Sequence, residues 1–298
     1  MTPVLRLETS EALAEIRPAH GGWLTRFERD VPGLGRIPVI HQDTAVEERY
    51  PREMWAGNPI LFPLISFNHL PDAENHYEWQ GKRHPLPPHG FARRNPWRVV
   101  DHSTSSATLE LSDTETTRAV YPWSFRHQLS HRLEGGRLRV QHCIINDSDE
   151  PMPFCLGIHP YLRIPGPRSR SIIRVVASTR VTPIDQARSY NSTPFGHSEI
   201  ALQNDFSSTL QLTDLITREC RLRDPVTRLE TILNWEDSPG FRNVVFWSRT
   251  PEDPWICVEP WTALCNAFTR NEPGEVIALA PGDSWSASWW LDAAISTE

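Results

Sequence analysis

The stretch Phe125-Arg126-His127-Gln128-Leu129-Ser130-His131-Arg132-Leu133-Glu134-Gly135-Gly136-Arg137-Leu138-Arg139-Val140-Gln141-His142-Cys143-Ile144-Ile145 decides the fold class. Phe125, His127, Leu129, His131 and Leu133 recur every second residue, so an extended chain places them on one face. Glu134-Gly135-Gly136-Arg137 then turns the chain, because glycine accepts the positive φ angles of a tight hairpin turn. Leu138, Val140, His142 and Ile144 continue the alternation on the way back. The segment reads as a β-hairpin.

Outward from the hairpin the same signal recurs in short runs bounded by turn residues. Strands are expected at Ala107–Leu111, Ser171–Ala177, Thr227–Leu233, Asn243–Ser248, Trp255–Val258 and Ser284–Leu291. Helical periodicity is weak, with a turn or two at most over Glu11–Ile16. Proline supplies 27 of the 298 residues, nearly twice the usual share of about 5%. Each proline removes a backbone donor and clashes with the preceding helical turn, so an all-helical fold is excluded. Twelve tryptophans argue equally against disorder. Neither a repeat nor a Gly/Ser-rich linker divides the chain. The expectation is one all-β domain over residues 1–298, a large antiparallel β-sandwich or barrel.

Charge and cysteine usage narrow the function classes. A formal net charge of −7 disfavours nucleic acid, whose phosphates require a basic surface. Lys82 is the single lysine, so lysine Schiff-base chemistry would rest on that residue alone. Five cysteines (Cys143, Cys155, Cys220, Cys257, Cys265) include no CxxC pair; Cys143, Cys155 and Cys257 lie in apolar runs and read as small buried hydrophobes. No signal peptide and no apolar run of membrane-spanning length is recognised. The expectation is a soluble, cytoplasmic protein with no membrane or nucleic-acid partner, a monomer or homodimer.

Three segments differ from ordinary strand and turn sequence. Leu86-Pro87-Pro88-His89-Gly90-Phe91-Ala92-Arg93 holds a histidine on a stiff loop. Leu156-Gly157-Ile158-His159-Pro160-Tyr161 ends an apolar run on a histidine. Trp255-Ile256-Cys257-Val258-Glu259-Pro260-Trp261 puts an acid at the end of a buried strand, where desolvation raises its pKa. Two stiffly held histidines and a partly buried glutamate form a general acid/base set.

These residues carry a family resemblance. Gly57-Asn58-Pro59-Ile60-Leu61-Phe62-Pro63, His89-Gly90-Phe91-Ala92-Arg93 shortly before Trp97, Gly157-Ile158-His159-Pro160-Tyr161 and Val258-Glu259-Pro260-Trp261-Thr262 resemble, in order and spacing, the signatures of aldose 1-epimerases (mutarotases) over residues 10–292. The resemblance implies a galactose-mutarotase-like β-supersandwich that interconverts the α and β anomers of an aldose without metal or organic cofactor. It implies Glu259 as the general base that takes the O1 proton and His159 as the general acid toward the ring oxygen. His89 would hydrogen-bond the sugar. Asp214 stands where the family often places an acid that binds hydroxyls, although a turn aspartate reads equally well. Arg93 is expected to orient the sugar or its loop, and Tyr161 or Trp261 to stack on the sugar.

Two departures matter. An arginine common in free-sugar enzymes is replaced within Ile65-Ser66-Phe67-Asn68. The arginine that precedes the first motif's glycine in the hexose-6-phosphate branch is Ala56 here, which argues for an unphosphorylated sugar because a bidentate phosphate ligand is lost. Arg52, Arg93 and Arg94 remain as substitutes.

Other classes fit less well. His127 and His131 have HxxxH spacing but lie on a strand, about 13 Å apart at roughly 3.3 Å per residue, too far for one zinc ion. A glycoside hydrolase requires a second carboxylate, for which Asp237 and Asp214 lack a comparable setting. A non-catalytic sugar-binding protein would have no need of His89, His159 and Glu259 together.

Overall fold

The structure, a computed structural model, describes residues 4–196 and 198–297. The hairpin forms as read: Phe125–Glu134 pairs antiparallel with Arg137–Asn146, Phe125 opposite Asn146 and Glu134 opposite Arg137, across a Gly135-Gly136 loop with Gly135 at φ 59°. It occupies the middle of a nine-stranded antiparallel sheet. Ser106–Ser112 and Arg98–His102 lie on one side; Ser284–Ile295, Leu229–Asn234, Glu219–Arg223, Ile172–Arg174 and Glu199–Ala201 lie on the other.

The second large sheet carries the chemistry-bearing segments. Its order is Ser189–Pro194, Ala177–Ile184, Leu210–Leu215, Asn243–Trp247, Trp255–Trp261, Gly157–Ile158 and Ile60–Leu61, with Tyr161–Arg163 also paired to Trp255–Trp261. Leu129, Val140, Ile144, Trp289 and Leu291 of the first sheet and Leu212, Val244, Phe246, Ile256 and Val258 of the second belong to one apolar cluster. The two sheets are held together by this shared burial, worth about 25 cal/mol per Å² of apolar surface removed from water. A four-stranded N-terminal sheet (Leu5–Glu8, Ala12–Arg17, Trp23–Val31, Gly35–Pro38) adds Leu7, Ile16 and Phe27 to the same cluster. The expected large antiparallel β-sandwich is therefore the architecture adopted.

Three strand-level expectations are corrected. Residues 12–17 are a strand, not a helical turn; Ala12, Leu13, Ala14 and Ile16 are all buried, so the segment is covered on both faces and lacks clean alternation. The run 171–177 is not one strand. Ile172–Arg174 belongs to the nine-stranded sheet and Ala177–Ile184 to the eight-stranded one, the chain changing sheets in between. The expected strand start at Thr227 shifts to Leu229 because Asp224 ties the preceding turn, accepting from the Val226 N–H and the Thr227 hydroxyl. Cys155 and Cys257 are buried as expected, whereas Cys143 is half-buried.

The hairpin's inward histidines form a chain. The Trp289 indole N–H donates to His142 Nε2 at 3.2 Å, which leaves the hydrogen of neutral His142 on Nδ1, facing His127 Nε2 at 3.1 Å. In this neutral arrangement His142 has a partner at both ring nitrogens, while His127 Nδ1 has none among the described residues. Burial lowers the pKa of His131 and His142 to about 3 and that of His127 well below its ordinary value.

Candidate active site

Strand Trp255–Trp261 is buried at all seven positions. Its period of two puts Ile256 and Val258 in the main core, and Trp255, Cys257, Glu259 and Trp261 on the opposite face. There Tyr161, Trp255 and Cys257 make a small separate apolar cluster with Trp247 against it. Val245 stands opposite Glu259 in the neighbouring strand and Trp247 opposite Cys257. A carboxyl 2% exposed is thus delivered by strand alternation into a mostly apolar wall.

His159 is placed by a break in the facing strand. Gly157 pairs with Trp261 and Tyr161 with Cys257, both across the same strand, so residues 158–160 bridge between two short ladders. Pro160 has no N–H with which to continue either ladder. The His159 N–H instead donates to the Asn58 side-chain oxygen at 2.9 Å, and the Tyr161 N–H to the Gly57 carbonyl at 2.9 Å. The first motif is therefore the clamp that holds the third. Gly57, at φ 66°, has no room for a side chain: a Cβ would lie 2.4 Å from the Leu24 carbonyl oxygen. So held, the His159 ring stacks on Tyr161 (centroids 5.0 Å, 18° between planes) and brings Nε2 to 3.3 Å from Glu259 Oε2.

His89 arrives from a different direction. It adopts φ 64° and is locked to Ser66 twice: its N–H donates to the Ser66 carbonyl at 2.5 Å, and the Ser66 N–H donates to its Nδ1 at 3.1 Å. Accepting at Nδ1 leaves the neutral ring's hydrogen on Nε2. Gly90 pairs with Phe62, where a Cβ would come within 2.2 Å of the Phe62 carbonyl oxygen. The His89 and His159 rings meet edge to face at 5.6 Å.

One cavity of about 310 Å³ collects these groups: His89, Arg93, His159 and Glu259 line it together with Tyr161 and Trp261. Burial pushes the Glu259 carboxyl well above the ordinary carboxylate range, against the opposing pull of Trp261 and Arg93. Burial, then the Arg93 charge, lowers the His159 pKa to about 3. His89 is lowered well below its ordinary value by burial first, then by Arg93 and His159. Arg93 itself is brought down to about 10 by burial and by Arg94. Burial thus disfavours charge on all of these groups.

Four of the five expected site residues, His89, Arg93, His159 and Glu259, come together in this cavity. Asp214 does not line it. It is exposed, at φ 51° in a gap between the Thr179–Thr213 and Ala177–Leu215 pairs, and its carboxylate accepts from the Thr179 hydroxyl at 2.6 Å. That is the turn-aspartate role. Sequence reasoning missed Met54, Trp55, Ser66, Thr209, Val245 and Trp247, which also line the cavity. A same-face alternation from Glu259 to its neighbouring strand was the available signal for Val245 and Trp247. The Cys257 sulfur lies within 4.8 Å of the nearest His159 and Glu259 ligand atoms, a geometry three protein ligands of a soft divalent ion would share. Burial pushes the Cys257 thiol up, so capture of an ion there would first have to remove that proton.

The sequence model of aldose 1-epimerases matches residues 4–291. Protein LacX (plasmid) of Lactococcus lactis subsp. lactis is 23% identical over 256 residues, covering 77% of this chain and 80% of that protein. Among solved structures, the Slr1438 protein of Synechocystis sp. PCC 6803 superposes with a TM-score of 0.85 at 24% identity, over 99% of this chain and 97% of that one. A galactose mutarotase related enzyme from Lactobacillus acidophilus superposes with a TM-score of 0.81 at 25% identity, over 99% of both chains. With the match running almost from end to end across the segments that build the cavity, this chain belongs to the aldose 1-epimerase family.

Proposed function

We propose that this protein is an aldose 1-epimerase that interconverts the α and β anomers of an unphosphorylated aldose such as glucose or galactose. The observation that carries the reading is the 3.3 Å approach of His159 Nε2 to Glu259 Oε2 inside a cavity also lined by His89.

Opening a cyclic hemiacetal removes the O1 proton and protonates the ring oxygen as the C1–O5 bond breaks. Glu259 takes the O1 proton while His159 delivers one to O5. The step requires Glu259 as the carboxylate and His159 protonated, an arrangement isomeric with carboxyl plus neutral imidazole. The Arg93 guanidinium favours the carboxylate member. Rotation about C1–C2 in the open aldehyde exposes the other carbonyl face, and closure runs the two transfers backwards. His89, with a hydrogen on Nε2, donates to the ring oxygen or O1 as charge develops there.

A second reading has its own observation. Arg52, Arg93 and Arg94 line the cavity, and none has a carboxylate partner among the described residues. Those guanidiniums suit an aldose with an anionic group, against the absence of the motif arginine at Ala56. Polarimetry on freshly dissolved α-D-glucose and α-D-galactose, beside a coupled assay on glucose 6-phosphate, separates the two. Acceleration of the free sugars that is lost in Glu259→Gln supports the first reading, and acceleration of the phosphate alone supports the second. A protein that accelerates none of the three acts on another aldose or only binds sugar.

A further inference from the structure

Glu259 and His159 take one edge of an aldopyranose, the C1–O5 edge, and the opposite C3–C4 edge requires ligands of its own. The sheet sets where they come from. Gln211 of strand Leu210–Leu215 stands opposite Val245, and Val245 stands opposite Glu259. Directly opposed residues share a face of the sheet, so Gln211 and Glu259 lie on the same side, two strand spacings or about 10 Å apart. A pyranose ring with a hydrogen bond at each end spans that separation, with the apolar Val245 between. Thr209 immediately precedes the strand and, like Val245, lines the cavity that holds Glu259 and His159. Its backbone is held at φ 57°. Among the described non-glycine residues with positive φ it is the only β-branched one, and a β-branched side chain is poorly suited to that conformation. Strained backbone of this kind persists where surrounding structure enforces it, and it clusters at ligand sites.

Gln211 fixes what Thr209 presents. It is 4% exposed, and its Nε2 donates to the Thr209 hydroxyl oxygen at 3.2 Å, which leaves the hydroxyl's own hydrogen free to donate. Gln211 Oε1 has no hydrogen-bond partner among the described residues. A buried amide bonded on one side only costs stability, so packing does not account for it. We propose that Thr209 is a sugar-binding residue that donates to a hydroxyl on the C3–C4 edge of the aldose, with Gln211 as the positioning residue behind it. The inference rests on the aldose 1-epimerase reading and names the part of the substrate that is recognised. Thr209 discriminates among aldoses by the hydroxyls across the ring from C1, and takes no part in the proton transfers at O1 and O5.

The test measures kcat and KM for anomer interconversion of glucose, galactose and their 3-deoxy and 4-deoxy analogues, in the wild type, Thr209→Val, Thr209→Ser and Gln211→Leu. Thr209→Val keeps the shape and the β-branch and removes only the hydroxyl. On a parent sugar it is expected to lower kcat/KM about five- to twentyfold, mainly through KM, as the loss of a hydrogen bond that leaves its partner unsatisfied does. The wild type should show a comparable loss on the deoxy analogue that lacks the recognised hydroxyl, and Thr209→Val should lose nothing further there. Thr209→Ser, which restores a hydroxyl, should recover most of the loss. Gln211→Leu should raise KM on the parent sugar by a smaller factor and be silent on that same analogue. Thr209→Val within twofold of the wild type on both parent sugars overturns the assignment. A loss of equal size on the parents and on every deoxy analogue overturns it too, because Thr209 then acts only through the fold. Where Thr209→Val fails to fold, Thr209→Ala, free of the β-branch, carries the same comparison. No turnover of either parent sugar by the wild type removes glucose and galactose as substrates, and the assignment made for them falls with it.

Discussion

Replacing Glu259 by glutamine tests the acid/base assignment at least structural cost. The side chains are nearly isosteric, so the packing of Val245, Trp261 and His159 around position 259 is preserved. A carboxamide cannot exchange a proton with O1 or with His159. Positioned acid–base groups contribute about 10²- to 10⁴-fold to rate, which corresponds to about 2.7–5.5 kcal/mol of barrier at 1.36 kcal/mol per decade. The expected outcome is a fall of two to four decades in kcat/KM, read by polarimetry after subtracting spontaneous mutarotation. Stability should move the other way. Glu259 is 2% exposed and its carboxyl is pushed up by burial, so a neutral amide relieves desolvation and Tm should be unchanged or higher. A variant that retains kcat/KM within threefold of wild type at unchanged Tm refutes the base assignment. Loss of activity accompanied by a fall in Tm of several degrees would show that Glu259 acts through the fold.

Protonating the buried hairpin histidines should destabilise the protein in acid. His131 and His142 have folded pKa values of about 3, below the ordinary 6.5; their contribution is therefore complete above about 6.5 and lost as pH falls toward about 3. The linkage relation gives about 2 kcal/mol for each by pH 5, visible as a lower urea midpoint that His131→Leu partly restores; an unchanged midpoint from pH 7 to 5 contradicts it. Gly90→Ala should lower both Tm and kcat, because a Cβ 2.2 Å from the Phe62 carbonyl oxygen at φ 67° must displace the loop carrying His89; full activity at wild-type Tm would show that the loop yields freely. Asp214→Ala should leave kcat/KM within twofold, since that carboxylate is engaged by Thr179 outside the cavity; a tenfold loss would return Asp214 to the site.

The sheets that carry clean alternation were legible, and those without it were not. Phe125–Glu134 shows one buried face, and its reading survives residue by residue. In residues 12–17 Leu13 is buried along with Ala12, Ala14 and Ile16, which blurs the period of two and left a helical turn in its place. The sheet change between Arg174 and Ala177 has no local signal, because Val175 and Val176 carry the apolar run of Ile172–Ile173 straight through it. Within the site, His89, His159 and Glu259 stood out because proline and glycine mark the turns that hold them. Thr209 and Val245 carry no such mark. Each reaches the cavity through strand pairing and a turn whose partners are distant in sequence, and the left-handed backbone of Asp185–Ala187 follows from tertiary support by Asn266, not from its residue types.

The pairing of His159 with Glu259 fits a reversible isomerisation better than a one-way hydrolysis. Interconversion of anomers begins and ends with a hemiacetal, so the proton taken from O1 and the proton given to O5 must both be returnable, and by microscopic reversibility the acid of opening is the base of closure. A pair in which one member stayed strongly acidic and the other strongly basic would favour one direction of transfer. Here burial acts on both groups, raising the carboxyl and lowering the imidazole, so that the neutral form of each is favoured. Arg93 then acts as the bias, pulling the carboxyl back toward ionisation while opposing charge on His159. Replacing Arg93 by methionine, which keeps much of the stem but no charge, should therefore raise the carboxyl further and shift the alkaline limb of the pH–kcat/KM profile upward, whereas a group that merely bound the sugar would change KM and leave the limb where it was.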